Sequence, residues 1–254
     1  MNTVRRLTPP RELDMPFDGK ENLIILPTYN ERRNIEGIVA AIFDVLPQTH
    51  ILIVDDNSPD GTGRLAETLS TSDTRIFVLH RTKNRGLGPA YIDGFRWAIE
   101  KKYYSVFEMD ADFSHQPKHL PQFLAALENA DIVLGCRYMP EGGVKGWAQH
   151  RQWLSKAGNF YAKGLLRLSY RDLTGGFKCF KRTALEALDL SSIQSTGYNF
   201  QVEVTHQAHR LGLRITETPI VFVEREEGVS KMNWAICWEA ITGMWRLRNK
   251  PLSK

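Results

Sequence analysis

The chain has 254 residues, 42% hydrophobic and 24% charged, which suits one large α/β domain or two small ones and excludes a disordered, collagen-like or coiled-coil chain. Its net charge of +4 hides an asymmetry: between Arg137 and Arg182 there are ten Lys or Arg residues against only Glu141 and Asp172, so the rest of the chain is net acidic. Such a stretch either faces solvent or meets an anion, whether phosphate, nucleic acid or a membrane surface.

Residues 1–20 are polar and charged, lack the apolar centre of a signal peptide, and read as a flexible arm on a cytoplasmic protein. Short apolar runs then follow at Leu23–Leu26, Ile51–Val54, Ile76–Leu79, Tyr104–Met109 and Ile132–Leu134, all of buried-strand type. Between them lie segments of helical period, such as Ile35, Ile38, Val39, Ile42, Val45 and Leu46. Strand, helix, strand at this spacing predicts right-handed βαβ units and a mostly parallel sheet. After Arg137 the alternation loosens; a helix is expected from about Arg151 to Arg167, a strand near Arg214–Val223, and a last helix near Trp234–Arg248. That last segment sets Trp234, Trp238, Ile241 and Trp245 on one face, with Arg246, Arg248, Lys250 and Lys254 at its end. It suits either packing on the sheet or the headgroup region of a membrane. No apolar run reaches the roughly 18 residues of a spanning helix. Cys136, Cys179 and Cys237 show no CxxC spacing, which argues against a disulfide framework or a zinc site.

In open parallel sheets, ligands bind beyond the carboxyl ends of the strands. Those ends carry Pro27-Thr28-Tyr29-Asn30-Glu31, then Asp55 through Gly61, then Asp110-Ala111-Asp112. Two carboxylates two residues apart, delivered by a buried strand, can hold a hard divalent cation against phosphate oxygens; the plain alternative is a pair of exposed turn aspartates. Asp55 and Asp56 can accept from a ribose or a base edge, or simply precede a helix capped by Ser58 or Asp60. Tyr29 offers a ring for stacking and Glu31 a carboxylate, although Asn30 there also suits a helix cap. The stretch from Asn84 to Ala90 lacks the spacing of a phosphate loop and reads as a tight turn into a helix. His115 and His119 have Pro117 between them, which argues against a helical metal pair.

Together these residues carry a resemblance. PTYNE at 27–31, VDDNSPDGT at 54–62, GLGPA at 86–90 and MDADFSHQP at 109–117 resemble a family-2 GT-A glycosyltransferase. GCRY at 135–138, GW with Arg151, DLTGGFK at 172–178, GYNFQVEV at 197–204 and REEGVSKM at 225–232 narrow it to the dolichol-phosphate (polyprenol-phosphate) mannose synthases. The resemblance implies a GT-A, Rossmann-like α/β fold with a mostly parallel central sheet over residues 21–232, and a C-terminal amphipathic helix and basic tail over 233–254. It implies that Pro27, Tyr29, Glu31, Val54 and Asp56 hold the base and ribose. Asp110 and Asp112, with the Ala111 backbone and Ser114, would hold Mg²⁺ or Mn²⁺ and the diphosphate. Arg225 and Lys231 would lie on the donor phosphates, and Arg137, Arg151 and Ser155 on an acceptor phosphate. Many members continue past the position of Met232 into membrane-spanning helices, and this chain resembles the short ones.

The implied reaction moves mannose from GDP-mannose to a polyprenyl phosphate, releasing GDP, with Asp112, Arg137 and Arg151 as the catalytic set. The implied partners are the membrane surface on its cytoplasmic face and, left open, a membrane-anchoring subunit; no nucleic acid is involved. Three alternatives remain: a UDP-glucose-dependent enzyme of the same chemistry, a nucleotide-binding oxidoreductase disfavoured by the lack of GxGxxG after the first strand, and a non-catalytic membrane adaptor.

Overall fold

A computed structural model describes residues 21–83, 86–195, 197–224 and 243–249. A seven-stranded sheet has the order β3-β2-β1-β4-β7-β5-β8. Its strands are β1 (Asn22–Thr28), β2 (His50–Asp55), β3 (Ile76–His80), β4 (Ser105–Glu108), β5 (Ile132–Cys136), β7 (Lys178–Lys181) and β8 (Ile215–Pro219). Every pairing is parallel except those of β7, which runs antiparallel to both β4 and β5. A small parallel pair stands apart, β6 (Gly143–Lys145) with β9 (Val221–Val223). The single strand expected over Arg214–Val223 is thus two strands in two sheets, because Pro219 has no N–H for a ladder and the chain crosses over at Ile220.

The central strands are apolar on both faces, as a sheet between two helical layers requires. Leu23, Ile25, Leu52, Val54 and Val106 face α3 (Leu87–Glu100), α6 (Arg182–Ala187) and α7 (Gly197–Arg210). Ile24, Leu26, Ile51, Ile53 and Phe107 face α1 (Ile35–Val45), α2 (Thr62–Ser72) and α4 (Leu120–Leu127). Each such side chain taken from water contributes about 1.5–3 kcal/mol. Helix α3 lies close enough to the sheet that a Cβ on Gly94 would come within 2.9 Å of Ile25.

Helix α5 (Gln149–Leu166) belongs to neither layer. Its Ala162 and Leu166 pack with Leu173, Val202, Met244 and Leu247 in a third cluster. The expected helix Trp234–Arg248 lies mostly outside the described residues, but 243–249 are helical and bury Met244 and Leu247 while Trp245 stays half exposed. The expected arm 1–20, Cys237, Arg225 and Lys231 also lie outside the described residues.

Candidate active site

Strand order places the ligand crevice. The chain winds outward from β1 in one direction through β2 and β3, and in the other through β4, so the carboxyl ends of β1 and β4 flank the point where winding reverses. The loops after β1, β2 and β4 therefore converge. Each holds a non-glycine residue in the left-handed region, Asn30 (φ 63°), Asn57 (φ 57°) and Phe113 (φ 60°). Strain of this kind gathers where loops are shaped for a ligand.

The first two loops are laced together. Asn30 N–H donates to Ser58 Oγ at 3.1 Å, and Glu31 N–H to Thr62 Oγ1 at 3.0 Å. Ser58 Oγ in turn donates to Asp55 Oδ1 at 2.6 Å, so Asp55 and Ser58 brace the loop rather than cap α2. Asp60 accepts from Thr62 N–H at 3.0 Å. Asn30 does not cap α1, which starts at Ile35 behind Asn34. Tyr29 presents a half-exposed ring, as a stacking role needs. Val54 and Ala111, by contrast, bury their side chains, so any contact they make with a nucleotide is through backbone. Pro27 pairs with Val54 in the sheet.

Asp56 is nearly buried and already held. Its Oδ2 accepts Gly86 N–H at 2.7 Å, and its Oδ1 meets Arg81 Nη1. Arg81 is fully buried and its Nε donates to Asp93 Oδ2 at 2.8 Å on α3. Sequence reading missed Arg81; the available signal was a charged residue directly after a buried strand, ahead of the turn into α3.

The acidic turn after β4 is equally constrained. Asp110 N–H donates to His115 Nδ1 at 3.0 Å, and Ser114 N–H to Asp112 Oδ1 at 3.0 Å. Tyr91 O–H reaches Asp110 Oδ1 at 3.4 Å. Burial lowers His115 to about 4, so the ring is neutral and accepts. His119 Nε2 likewise accepts Val221 N–H at 3.2 Å, so each histidine is tied to backbone, in keeping with the argument against a metal pair. Ser114 Oγ is buried and meets no hydrogen-bonding partner among the described residues. Among the described residues no three His, Cys, Asp or Glu side chains cluster as a full protein cage. Two carboxylates and one spare hydroxyl suit Mg²⁺ or Mn²⁺, which take few protein ligands and complete their shell with substrate and water.

Beneath this turn lies a buried polar group that sequence reading also missed. Glu108 stands opposite Lys178 in register. Lys178 Nζ donates to Gln201 O at 2.7 Å and Thr205 Oγ1 at 3.0 Å on α7. Burial raises Glu108 to about 7 and lowers Lys178 to about 8. An acid inside the run Ser105–Met109 was the visible signal.

The basic half adjoins the acidic one, since Val223 N–H on β9 donates to Ser114 O at 3.2 Å. Arg137 is buried and clamped. Its Nε and Nη2 donate to Asp172 at 2.7 and 2.8 Å, and Nη2 also to Thr174 Oγ1 at 2.9 Å. Burial pushes the Asp172 carboxyl up, but the Arg137 guanidinium more than reverses this and holds it below the usual range. Arg151, in the first turn of α5, lies 4.2 Å above the Trp147 ring and pairs with Glu224 at 2.6 Å. Ser155, one turn on, accepts Tyr138 O–H at 2.7 Å. The opposite face of α5 exposes Trp153 (73%) and Phe160 (80%), beside Leu154 and Lys156.

The loops after β1, β2 and β4, the acidic turn and the ion-paired Arg137 and Arg151 thus lie together at one end of the sheet. Residues 23–189 match the model of "Glycosyl transferase family 2", and the chain belongs to that family. It is 46% identical, over 88% of its length and 92% of the relative's, to the undecaprenyl-phosphate mannosyltransferase of Micrococcus luteus. It is 44% identical, over 91% and 89%, to the polyprenol monophosphomannose synthase of Mycolicibacterium smegmatis. Among solved structures, it shares its fold (TM-score 0.69, 16% identity, 97% of this chain and 88% of the other) with a glucosyl-3-phosphoglycerate synthase from Mycobacterium tuberculosis crystallised with Mn²⁺, UDP-glucose and phosphoglyceric acid. The fold is thus the GT-A type that the sequence motifs implied, and the chain is a glycosyltransferase.

Proposed function

We propose that this enzyme transfers mannose from GDP-mannose to a polyprenyl phosphate at the cytoplasmic face of a membrane. The observation that carries the reading is the near full-length identity to two relatives named for mannosyl transfer to such lipids. The site supports it. Tyr29, Glu31 and the braced Asp56 suit a nucleoside, while Asp110, Asp112 and Ser114 would hold Mg²⁺ or Mn²⁺. The cation would neutralise charge on the departing diphosphate.

The acceptor phosphate is an anion near neutral pH, so no side chain need deprotonate it. The chain's task is to place that oxygen behind the anomeric carbon and to surround the charges. Arg151 and Ser155, one turn apart on α5, offer a guanidinium and a hydroxyl for the acceptor. Arg137 contributes its field from behind, with its fork already shared with Asp172. Any nearby mannosyl acceptor tail would run along α5, whose outer face carries Trp153 and Phe160.

The test is incubation with each labelled nucleotide sugar and polyprenyl phosphate, followed by organic extraction. Label should enter the organic phase from GDP-mannose, and EDTA should abolish it. Incorporation from UDP-glucose in preference to GDP-mannose would overturn the donor assignment.

A further inference from the structure

Glu224 is built into its place. Its N–H donates to Lys145 O at 2.9 Å as the chain leaves β9. Its Cβ lies 2.8 Å from where a Cβ on Gly146 would stand, and Gly146 has φ +86°, a conformation that side-chain-bearing residues rarely adopt. The glycine thus admits the glutamate, whose Oε1 accepts from Arg151 Nη1 at 2.6 Å.

That pairing uses one edge of the guanidinium and leaves another unsatisfied. Arg151 Nε–H is buried without an acceptor among the described residues, and so is the indole Nε1–H of Trp147, on whose ring the guanidinium lies. Buried donors of this kind are costly to leave unmade. The first turn of α5 adds no acidic residue and no side-chain cap, so its N-terminal field also favours an anion. A carboxylate fixed by its own backbone at Nη1 does not reach these donors. A phosphate, with oxygens in three directions, can take Nε and Nη together and meet the indole as well.

We propose that Glu224 is a positioning and selecting residue that competes with the acceptor phosphate for Arg151. The carboxylate holds Nη1 and the phosphate would take the Nε edge, so the two compete through the repulsion of two oxyanions crowded around one cation. The carboxylate orients the cation over Trp147 and turns away anions that bind through one oxygen, while a phosphate that engages Nε, Nη and the Trp147 indole displaces it. This rests on the reading that Arg151 meets the acceptor.

The experiment compares wild type with Glu224→Gln, Glu224→Asp and Trp147→Phe. It measures calorimetric binding of a short-chain prenyl phosphate and of GDP, the acceptor KM and kcat, and inhibition by inorganic sulfate. Removing the competing charge should tighten prenyl phosphate binding and lower acceptor KM by about fivefold in Glu224→Gln. The same variant should become sensitive to sulfate, keep its GDP affinity, and return toward wild type as Glu224→Asp. Trp147→Phe keeps the ring but loses the N–H, and should weaken prenyl phosphate by a similar factor. Glu224→Gln binding prenyl phosphate no tighter than wild type, or with GDP affinity shifted equally, would overturn the exchange. If Glu224→Gln fails to fold, an unaltered prenyl phosphate affinity in Trp147→Phe would do so. Wild type that binds no prenyl phosphate at all would instead sink the acceptor reading beneath it.

Discussion

Ser114 is small, buried and, among the described residues, without a partner for its hydroxyl, yet its own N–H fixes Asp112. A serine that cost stability for no return would be expected to turn outward in a loop; here the turn, with Phe113 in the left-handed region, holds it inward. Ser114→Ala should therefore fold normally and raise the Mg²⁺ or Mn²⁺ concentration needed for half-maximal transfer by about tenfold. A metal titration with unchanged midpoint would remove Ser114 from the site. Asp112→Ala should lower kcat by more than about 100-fold with the thermal midpoint nearly kept; wild-type turnover would end the metal assignment. At this scale the sequence was informative where chemistry sits in a short motif. The position of Asp110 and Asp112 in a turn directly after a buried strand was readable from the apolar run followed by D-x-D. Arg81 was not, because its partners Asp56 and Asp93 lie 25 and 12 residues away and meet only when β2, β3 and α3 are packed. Arg137 was legible as a basic residue but not as a buried one, since its partner Asp172 is 35 residues distant.

At the scale of elements, β7 is the piece that periodicity did not reveal. Lys178-Cys179-Phe180-Lys181 is too short and too charged to read as a central strand, yet it sits between β4 and β5. Its lysine is tolerated there because α7 supplies Gln201 O and Thr205 Oγ1, and β4 supplies Glu108. The five strands from β1 to β5 all appeared where the apolar runs placed them, and α5 began within two residues of expectation. Lys178→Met tests the tie between β7 and its neighbours. Glu108 titrates in the fold near 7, above its ordinary value, so its protonated form favours the fold at low pH and that advantage is lost as pH rises through the folded value. Without the lysine the carboxyl should move higher still, which extends the loss upward. Urea unfolding should therefore show the variant losing about 1 kcal/mol relative to wild type between pH 6 and pH 8. A difference that stays constant or reverses over that interval would mean Lys178 does not stabilise the Glu108 carboxylate.

For the whole molecule, the question is how an enzyme meets the headgroup of a lipid. Among the described residues no helix is long and apolar enough to cross a membrane. The C-terminal tryptophan stripe was one route suggested by sequence; within 243–249, Met244 and Leu247 instead pack against α5 and α7, which leaves Trp245 as the exposed part. The larger aromatic surface lies on α5 itself. Trp153, Leu154 and Phe160 are exposed there, Lys156 sits among them, and the helix has no acidic residue. Arg151 and Ser155 occupy the inner side of the same helix, so one element would set the acceptor's phosphate at the site and rest its outer face in the headgroup region. Aromatic rings gain from that interface, and each nearby Lys or Arg adds about 1 kcal/mol against an anionic leaflet. Trp153→Ser with Phe160→Ser should therefore sediment far less with vesicles containing anionic lipid than wild type does, and Trp245→Ala should lose less. The attraction should weaken in high salt for all of them, because the basic stretch from Arg137 to Arg182 acts through a screened field. The double variant should keep its turnover on a short, water-soluble prenyl phosphate, which needs no surface, while its rate on vesicle-borne acceptor falls. Equal sedimentation of wild type and double variant would assign the membrane contact elsewhere. An equal fall on soluble and vesicle-borne acceptor would mean that the α5 face serves the site rather than the bilayer.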